Sequence, residues 1–326
     1  MRSVRFARFG EPIDVLEVVD LPVPEVGPGQ MLIRMRARPV NPSDLLTVRG
    51  LYGVLPRLPA SPGFEGVGVI EAVGSEAEEF HVGRRVIPVG ARGTWQEYLL
   101  AGSDEVIPCP DAVEDFTAAQ FVVNALSAWV MTTEELALRP GEWLLQTAAG
   151  SALGRMVIQI SRLRGFRTIN VVRRREQVEE LRRMGADEVI CSADGPIVER
   201  VMAVTGQAGV RAAIDAVGGR LGGKVASVLG RGGTMLVYGL LSLEHVPLNT
   251  GRMIFSSTTV RGFWLDDWFR RTPPAKQRES VEALLGLMAA GEVVPAVEAE
   301  YDLKDVVEAV RHAARPGRRG KILLVG

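Results

Sequence analysis

The sequence predicts an α/β protein in which a doubly wound parallel sheet accompanies a second, β-rich domain. Three observations support this fold class. The chain of 326 residues is long enough for two domains. Its first 115 or so residues contain short β-type runs separated by Gly and Pro. From about residue 116, apolar runs alternate with helical patterns, as they do in sheets covered by helices on both faces.

The N-terminal region consists of short runs that alternate in polarity or are rich in β-branched residues. These runs lie at 31–40, 67–74, 84–90 and 94–100. Turn signals such as EVGPGQ and PASPGFEG separate them. Closely spaced strands with such turns predict a barrel-like or sandwich domain over residues 1–115.

The middle of the chain repeats a strand–helix pattern. The candidate strands lie at 143–148, 168–173, 188–192, 210–217, 233–240 and 258–264. Helical patterns follow the first four of them, and the strands are apolar almost throughout, which is typical of strands buried on both faces. Residues 116–265 are therefore predicted to form a Rossmann domain with a six-stranded parallel sheet.

Two further segments need separate interpretation. Residues 116–133 carry no charge, but they are too polar and too few for a membrane span, so a buried helix is predicted there. The tail, 266–326, holds one helix (280–290) and short strands ending in KILLVG. It is too small to stand alone and is predicted to return and complete the N-terminal domain.

Composition excludes several classes of protein. Lys+Arg number 38 and Asp+Glu 39, for a net charge of -1, so the basic excess typical of nucleic-acid-binding proteins is absent. Two cysteines are too few for a disulfide framework or a four-cysteine zinc site. The N-terminus resembles no secretory signal. We expect a soluble cytoplasmic protein that binds neither nucleic acid nor membrane.

A small-residue loop, TAAGSALG (147–154), joins the first buried strand to a helical stretch. In a loop of this kind, backbone N–H groups and the helix dipole can hold a pyrophosphate. Ala152 stands where the fingerprint expects its middle glycine. The context predicts a dinucleotide site, and the alternative is an ordinary tight turn.

The next strand ends in Arg173, Arg174 and Arg175. An NAD site usually has an acidic residue about 20 residues beyond the loop. Three cations there, just before a helix that prefers anions at its start, favour an external 2′-phosphate. The sequence thus predicts NADPH as the cofactor, the alternative being a solvated basic turn.

No catalytic zinc is expected. Phe64 precedes Glu65 where a histidine ligand would be needed, and Cys109 is the only cysteine in this half. The three histidines are scattered singly. Hydrogen-bond donors would then have to polarise the substrate.

The run NPSDLLTVRGLYGVLPRLPASPGFEGVGVI, followed by TWQEY, GGTMLVYG and RGFWL, resembles the zinc-free medium-chain dehydrogenase/reductases. Within them the chain is most similar to the mitochondrial-type trans-2-enoyl thioester reductases, and it is also quinone oxidoreductase-like. The resemblance implies a GroES-like substrate domain, a Rossmann domain and a homodimer through the Rossmann sheet edge. It further implies NADPH-dependent reduction of the 2,3 double bond of enoyl thioesters.

Residue by residue, the resemblance places the proton donor on Tyr52 and substrate-pocket residues on Asn41 and Trp264. It places cofactor contacts on Asn124, Gly150, Ser151, Ala152, Leu153, Arg173, Arg174, Arg175, Tyr238, Gly239, Leu240, Leu241, Phe263, Trp264, Leu265 and Lys321. Ala152 and Leu240 depart from the family pattern, each standing where a glycine is usual. A phenol with its ordinary pKa of about 10 is protonated at pH 7, so Tyr52 suits the delivery of a proton to Cα after a hydride reaches Cβ.

Two alternatives stay open at this point. One is an NADPH:quinone or enone oxidoreductase of the same superfamily. The other, supported only by the substitutions at Ala152 and Leu240, is a non-catalytic NADPH-binding protein.

Overall fold

A computed structural model describes residues 1–76, 80–90 and 92–326. The strands are β1 (Arg2–Arg5), β2 (Glu17–Asp20), β3 (Gln30–Pro39), β4 (Val67–Val73), β5 (Arg85–Pro88), β6 (Tyr98–Gly102), β7 (Val106–Pro108), β8 (Trp143–Gln146), β9 (Arg167–Val172), β10 (Glu188–Cys191), β11 (Val210–Asp215), β12 (Leu229–Val237), β13 (Thr259–Gly262), β14 (Val297–Asp302) and β15 (Lys321–Val325). The α-helices are α1 (Pro12–Val15), α2 (Pro42–Val48), α3 (Asp115–Ala118), α4 (Ser127–Val130), α5 (Ala152–Arg164), α6 (Glu176–Arg183), α7 (Ile197–Val204), α8 (Gly219–Ser227), α9 (Thr250–Ser256), α10 (Leu265–Arg271), α11 (Pro274–Ala289) and α12 (Val306–Ala314). Among the described residues, no helix combines the length and the apolar character that a membrane crossing requires.

The chain divides into two compact units. The first, here called the N-terminal unit, comprises Met1–Ala125 and Leu285–Gly326. The second, called the central unit, comprises Leu126–Leu284. The domain bounds at 115/116 and 265/266 stay predictions.

The N-terminal unit is built on a sheet in the order β14-β15-β3-β4-β5-β7, with β6 also paired to β3. The C-terminal strand β15 pairs antiparallel with β3, where Leu324 lies opposite Arg38. Arg38 is fully buried, and its guanidinium donates to the carbonyl oxygens of Gln96 (2.6 Å) and Gly326 (2.9 Å). The apolar strand β15 and these bonds fasten the tail to the β-rich sheet.

The central unit contains a fully parallel six-stranded sheet in the order β10-β9-β8-β11-β12-β13. The direction of winding reverses between β8 and β11, which is the switch point at which such sheets bind ligands. The core on one face includes Leu145, Ile169, Ala213 and Met235, contributed by four neighbouring strands. The predicted α/β fold class is therefore confirmed.

The uncharged segment 116–133 is buried and helical, but it is not one α-helix. Short α-helices, α3 and α4, alternate with π-helical turns at Phe121–Leu126 and Met131–Glu135. Thr132 illustrates one cause, since its hydroxyl donates to the carbonyl of Ala128 at 2.7 Å and so competes with the helical N–H donors. Such a change of helical period cannot be recognised from apolar content.

Gly154, in the first turn of α5, is required by packing. A Cβ at this position would lie 2.6 Å from the carbonyl oxygen of Ala149 and 2.7 Å from its Cα. We expect Gly154→Ala to lower the free energy of unfolding by about 2 kcal/mol, because backbone atoms cannot yield as a flexible side chain would. Urea unfolding followed by circular dichroism measures the change.

Gly286 provides the matched control for this prediction. It lies in α11, and a Cβ there would meet nothing within 4 Å. Gly286→Ala should therefore leave stability unchanged or raise it by about 0.5–1 kcal/mol. Equal effects of the two substitutions would contradict the packing argument.

Candidate active site

The loop between β8 and α5 is shaped as an anion site. Ser151 caps the helix, and its Oγ accepts a hydrogen bond from the Gly154 N–H at 3.1 Å. The N–H groups of Ala152 and Leu153, in the first turn, have no acceptor within the helix. Together with the positive end of the helix dipole, they can bind a pyrophosphate.

A close approach between the loop and α6 explains Gly150. A Cβ on Gly150 would lie 2.0 Å from the side-chain Nε2 of Gln177. Arg155, nearly buried behind the loop, donates from Nε to the Gly150 carbonyl at 3.2 Å and forms an ion pair with Glu180 at 3.0 Å. Arg155 thus supports the loop through contacts that do not involve the side chain of Ala152.

Thr147 and Asp215 tie together the loops on the two sides of the switch point. The Thr147 hydroxyl donates to Asp215 at 2.6 Å and accepts from the Ala216 N–H at 2.9 Å. The Asp215 carboxylate also accepts from the N–H groups of Val217 (3.0 Å) and Gly218 (2.9 Å). The sequence analysis missed Asp215, although a single acidic residue at the end of an apolar strand was a usable signal.

The three arginines follow β9, on the same edge of the sheet. Arg175 pairs with Asp194 (Nε to Oδ1, 2.5 Å), so its charge is partly balanced within the protein. Arg173 is exposed and Arg174 half-buried. Two of the three cations are therefore better placed than Arg175 to receive an anion from outside.

Two more predicted segments lie at the same edge, after β12 and β13. The hydroxyl of Tyr238 is buried and has no hydrogen-bond partner among the described residues, and burial raises the pKa of this phenol. After Gly239, the side chains of Leu240 and Leu241 are exposed. Phe263, Trp264 and Leu265 follow β13, with Phe263 buried and the Arg270 guanidinium 5.0 Å from the centroid of the Trp264 ring. The central unit thus gathers all of its predicted cofactor segments at one sheet edge.

The N-terminal unit brings together three other predicted residues, Asn41, Asn124 and Lys321, around the buried carboxylate of Glu65. Glu65 Oε1 accepts from Asn41 Nδ2 at 2.7 Å and from Asn124 Nδ2 at 3.2 Å. Glu65 Oε2 accepts from the Val123 N–H at 2.8 Å. Lys321 Nζ donates to Asn41 Oδ1. Sequence reasoning treated Glu65 only as a neighbour of a missing metal ligand and did not predict this cluster.

Asp44 is the second buried carboxylate of this cluster. Its carboxylate accepts from the Asn41 N–H at 2.7 Å as part of the capping box that starts α2. Burial raises the pKa of Asp44 to about 8 and that of Glu65 to about 7, although hydrogen bonds from backbone N–H groups oppose the shift. Burial lowers the pKa of Lys321 to about 8, against the attraction of both carboxylates.

Tyr52 lies just beyond α2 and is half-buried. Its ring packs on Phe64, with centroids 4.9 Å apart, and the guanidinium carbon of Arg92 lies 4.8 Å from the centroid of the same Phe64 ring. The segment around Tyr52 presents exposed apolar side chains, those of Leu51, Val54 and Leu55. A phenol in such a setting can donate to an oxygen of a ligand that has an apolar part.

The cluster around Glu65 does not fit a zinc ion. The groups that surround the Glu65 carboxylate are the side-chain amides of Asn41 and Asn124, the Val123 N–H and, beyond Asn41, the Lys321 ammonium, which are hydrogen-bond donors and not zinc ligands. Within residues 1–76, 80–90 and 92–326, no group of three or more His, Cys, Asp or Glu side chains could hold a metal ion.

Comparisons with known proteins agree with this architecture. Residues 27–111 match the family model described as "Alcohol dehydrogenase GroES-like domain", and residues 152–288 match "Zinc-binding dehydrogenase". The mitochondrial enoyl-[acyl-carrier-protein] reductase of Bos taurus is 32% identical over 99% of this chain and 88% of its own length. The Escherichia coli quinone oxidoreductase, solved with NADPH, is 25% identical, covers 100% of both chains and superposes with a TM-score of 0.92. A structure described as an Etr1p/NADP/crotonyl-CoA complex is 26% identical, covers 100% of this chain and 99% of its own, and gives a TM-score of 0.87.

Proposed function

We propose that this chain reduces the 2,3 double bond of trans-2-enoyl thioesters with NADPH. It belongs to the medium-chain dehydrogenase/reductases and, within them, to the family of the mitochondrial-type enoyl reductases. The observation that carries the proposal is the joint presence of an anion-binding sheet edge in the central unit and a partly buried phenol in the N-terminal unit. The chain is an oxidoreductase by family, which disfavours the non-catalytic alternative.

NADPH fits the central unit. The first-turn N–H groups of α5 and the small loop residues Gly150, Ser151, Ala152 and Leu153 would hold the pyrophosphate. Arg173 and Arg174 would bind the 2′-phosphate, since a planar guanidinium matches phosphate oxygens. The neighbouring segments 238–241 and 263–265 would line the nicotinamide side, and in the N-terminal unit Asn124 and Lys321 would complete the cofactor contacts. When bound, NADPH supplies the hydride.

Tyr52 would supply the proton. Reduction of an enoyl thioester places negative charge on the thioester oxygen as Cβ receives the hydride, and the proton must then reach Cα. A phenol O–H can donate to the developing charge without placing a full charge in the site beforehand. The apolar side chains around Tyr52 would exclude water from the acyl chain. The assignment of Asn41 and Trp264 as substrate-pocket residues stays a prediction.

Reduction of quinones is the second candidate function, because the Escherichia coli relative with a TM-score of 0.92 is a quinone oxidoreductase. When a quinone is reduced, the negative charge develops on its carbonyl oxygens, so the reaction depends less on a proton donor at carbon. The two functions therefore make different demands on Tyr52.

A homodimer through the β13 edge of the central sheet is part of the proposal. β13 is the last strand of that sheet, and Ile254 and Phe255 in the preceding helix α9 are 70% and 78% exposed. Large apolar side chains so exposed are typical of an interface. The cytoplasmic location stays a prediction.

Removal of the Tyr52 hydroxyl separates the two candidate reactions. Tyr52→Phe should lower kcat/KM for crotonyl-CoA about 10²–10⁴-fold, the usual contribution of a general acid, and should lower quinone reduction much less. Tyr98→Phe, the same deletion on β6, should change neither. NADPH oxidation at 340 nm measures both reactions. If Tyr52→Phe left crotonyl-CoA reduction intact, Tyr52 would not be the proton donor.

Cofactor choice depends on the arginines after β9. The double variant Arg173→Ala/Arg174→Ala should raise KM for NADPH about 10–100-fold, the loss expected for charge-assisted hydrogen bonds, while KM for NADH changes little. Arg182→Ala serves as control, because Arg182 pairs with Glu179 on the outside of α6. An unaltered ratio of NADPH to NADH efficiency would assign the 2′-phosphate elsewhere.

Charges on the exposed apolar patch should abolish the dimer. We expect Ile254→Asp/Phe255→Asp to have the mass of one chain, 35.3 kDa, in light scattering, while the wild type has twice that mass. Val82→Asp, at an exposed apolar position of the N-terminal unit, should remain dimeric. A monomeric wild-type protein would refute this part of the proposal.

A further inference from the structure

The carboxylate of Glu65 is surrounded by hydrogen-bond donors. Side-chain N–H groups of Asn41 and Asn124 point at Oε1, and the Val123 N–H points at Oε2. A carboxylate is an acceptor only, so this arrangement suits the ionised form. In a fully buried position, a carboxylate with such partners is costly to replace by a group that carries a donor.

These hydrogen bonds fix the orientation of the Asn124 side-chain amide. One hydrogen of its amide goes to Asn41 Oδ1 at 3.0 Å and the other to Glu65 Oε1 at 3.2 Å. Rotation of the amide by 180° would set Asn124 Oδ1 against the carboxylate and against another carbonyl oxygen. The amide therefore has one favoured orientation, with Oδ1 turned away from Glu65, and no described residue donates to that oxygen.

We propose that Glu65 is a positioning residue that holds Asn124 as a hydrogen-bond acceptor toward the bound dinucleotide. The group that meets Asn124 is then a donor, such as a ribose hydroxyl or a carboxamide N–H, and not a phosphate or carbonyl oxygen. The inference rests on the proposed function, because it takes Asn124 to be a cofactor contact.

The charges around Glu65 give the arrangement a pH dependence. Two titratable groups face it, Asp44 on α2 and Lys321 on β15, and Arg318 in turn faces Lys321. A proton on Glu65 converts one of its oxygens into a donor, which opposes either the two amides at Oε1 or the Val123 N–H at Oε2. Since burial raises the pKa of Glu65 to about 7, dinucleotide affinity should weaken as pH falls through that value.

The test is the affinity for NADP⁺, which is stable in acid, measured by calorimetry between pH 6 and 9. Glu65→Gln keeps one acceptor oxygen, and its side-chain NH₂ must oppose either the asparagine donors or the N–H of Val123, the residue before Asn124. We therefore expect the Kd for NADP⁺ to rise about tenfold at pH 8, the loss typical of an unsatisfied buried group. The weakening of wild-type binding near pH 7 should also shrink in this variant. The 2′-phosphate titrates near pH 6 in every variant, so the comparison with Glu65→Gln isolates the carboxylate.

Thr94→Val is the matched control. The fully buried Thr94 hydroxyl donates to the backbone carbonyl of Glu65 at 2.8 Å and does not touch the two amides. This variant should lose thermal stability, yet keep the wild-type Kd and pH profile.

Four outcomes would overturn the proposal. One is wild-type affinity in Glu65→Gln, and another is an equal loss of affinity in Thr94→Val, which would make the role merely structural. If Glu65→Gln fails to fold, the wild type alone decides, because affinity that does not weaken between pH 8 and 6.5 contradicts the proposal. A wild type that binds no NADP⁺ overturns the proposed function as well, whereas binding without turnover of any enoyl thioester or quinone overturns only the function.

Discussion

The burial of Glu65 together with Lys321 is the constraint on which the polar cluster of the N-terminal unit depends. An isolated charge in a protein interior is too costly to keep, so each of these groups needs partners. Glu65 finds them in Asn41, Val123 and Asn124, and Lys321 finds one in Asn41. Four segments far apart in sequence are thereby held at one point, and the return of the tail to β3 is what places Lys321 there.

The central unit solves a different problem, since its sheet edge must approach a phosphate closely. Close approach requires small residues. Gly154 meets the Ala149 backbone at distances that no Cβ could occupy, and a Cβ at Gly150 would force the Gln177 side chain to move. The loop needs support as well, and Thr147, Arg155 and Asp215 give it through side-chain hydrogen bonds behind the binding face. The departure at Ala152 is compatible with this design, because in the proposed site the anion would meet backbone N–H groups of the first turn and not a side chain.

The regular part of this fold could be predicted because its signal is periodic. Apolar strands followed by helical patterns predicted the parallel sheet, and the small-residue loop and the three arginines predicted its binding edge. Glu65 could not be recognised as the centre of a cluster, since its partners, such as Asn124, lie tens of residues away in sequence. Asp215 left one local signal, an acidic residue at the end of an apolar strand. The π-helical turns at 121–126 and 131–135 leave the apolar content of the sequence unchanged, so that content does not reveal them. Sequence patterns report local periodicity, whereas buried polar networks are products of tertiary contact.

The hydrogen bonds around Glu65 also concern the question of how a substrate carbonyl oxygen could be polarised. One of the matching family models is described by its zinc, and in this chain both oxygens of the Glu65 carboxylate accept hydrogen bonds from N–H groups. The negative charge of Glu65 orients the side-chain amides of Asn41 and Asn124, and the ammonium of Lys321 balances that charge. The Tyr52 phenol packs on Phe64, the residue next to Glu65, and under the proposed function it is the donor to the substrate oxygen. Phe64 and Glu65 are adjacent in the chain, so a shift of the Glu65 backbone would also displace the ring on which Tyr52 packs.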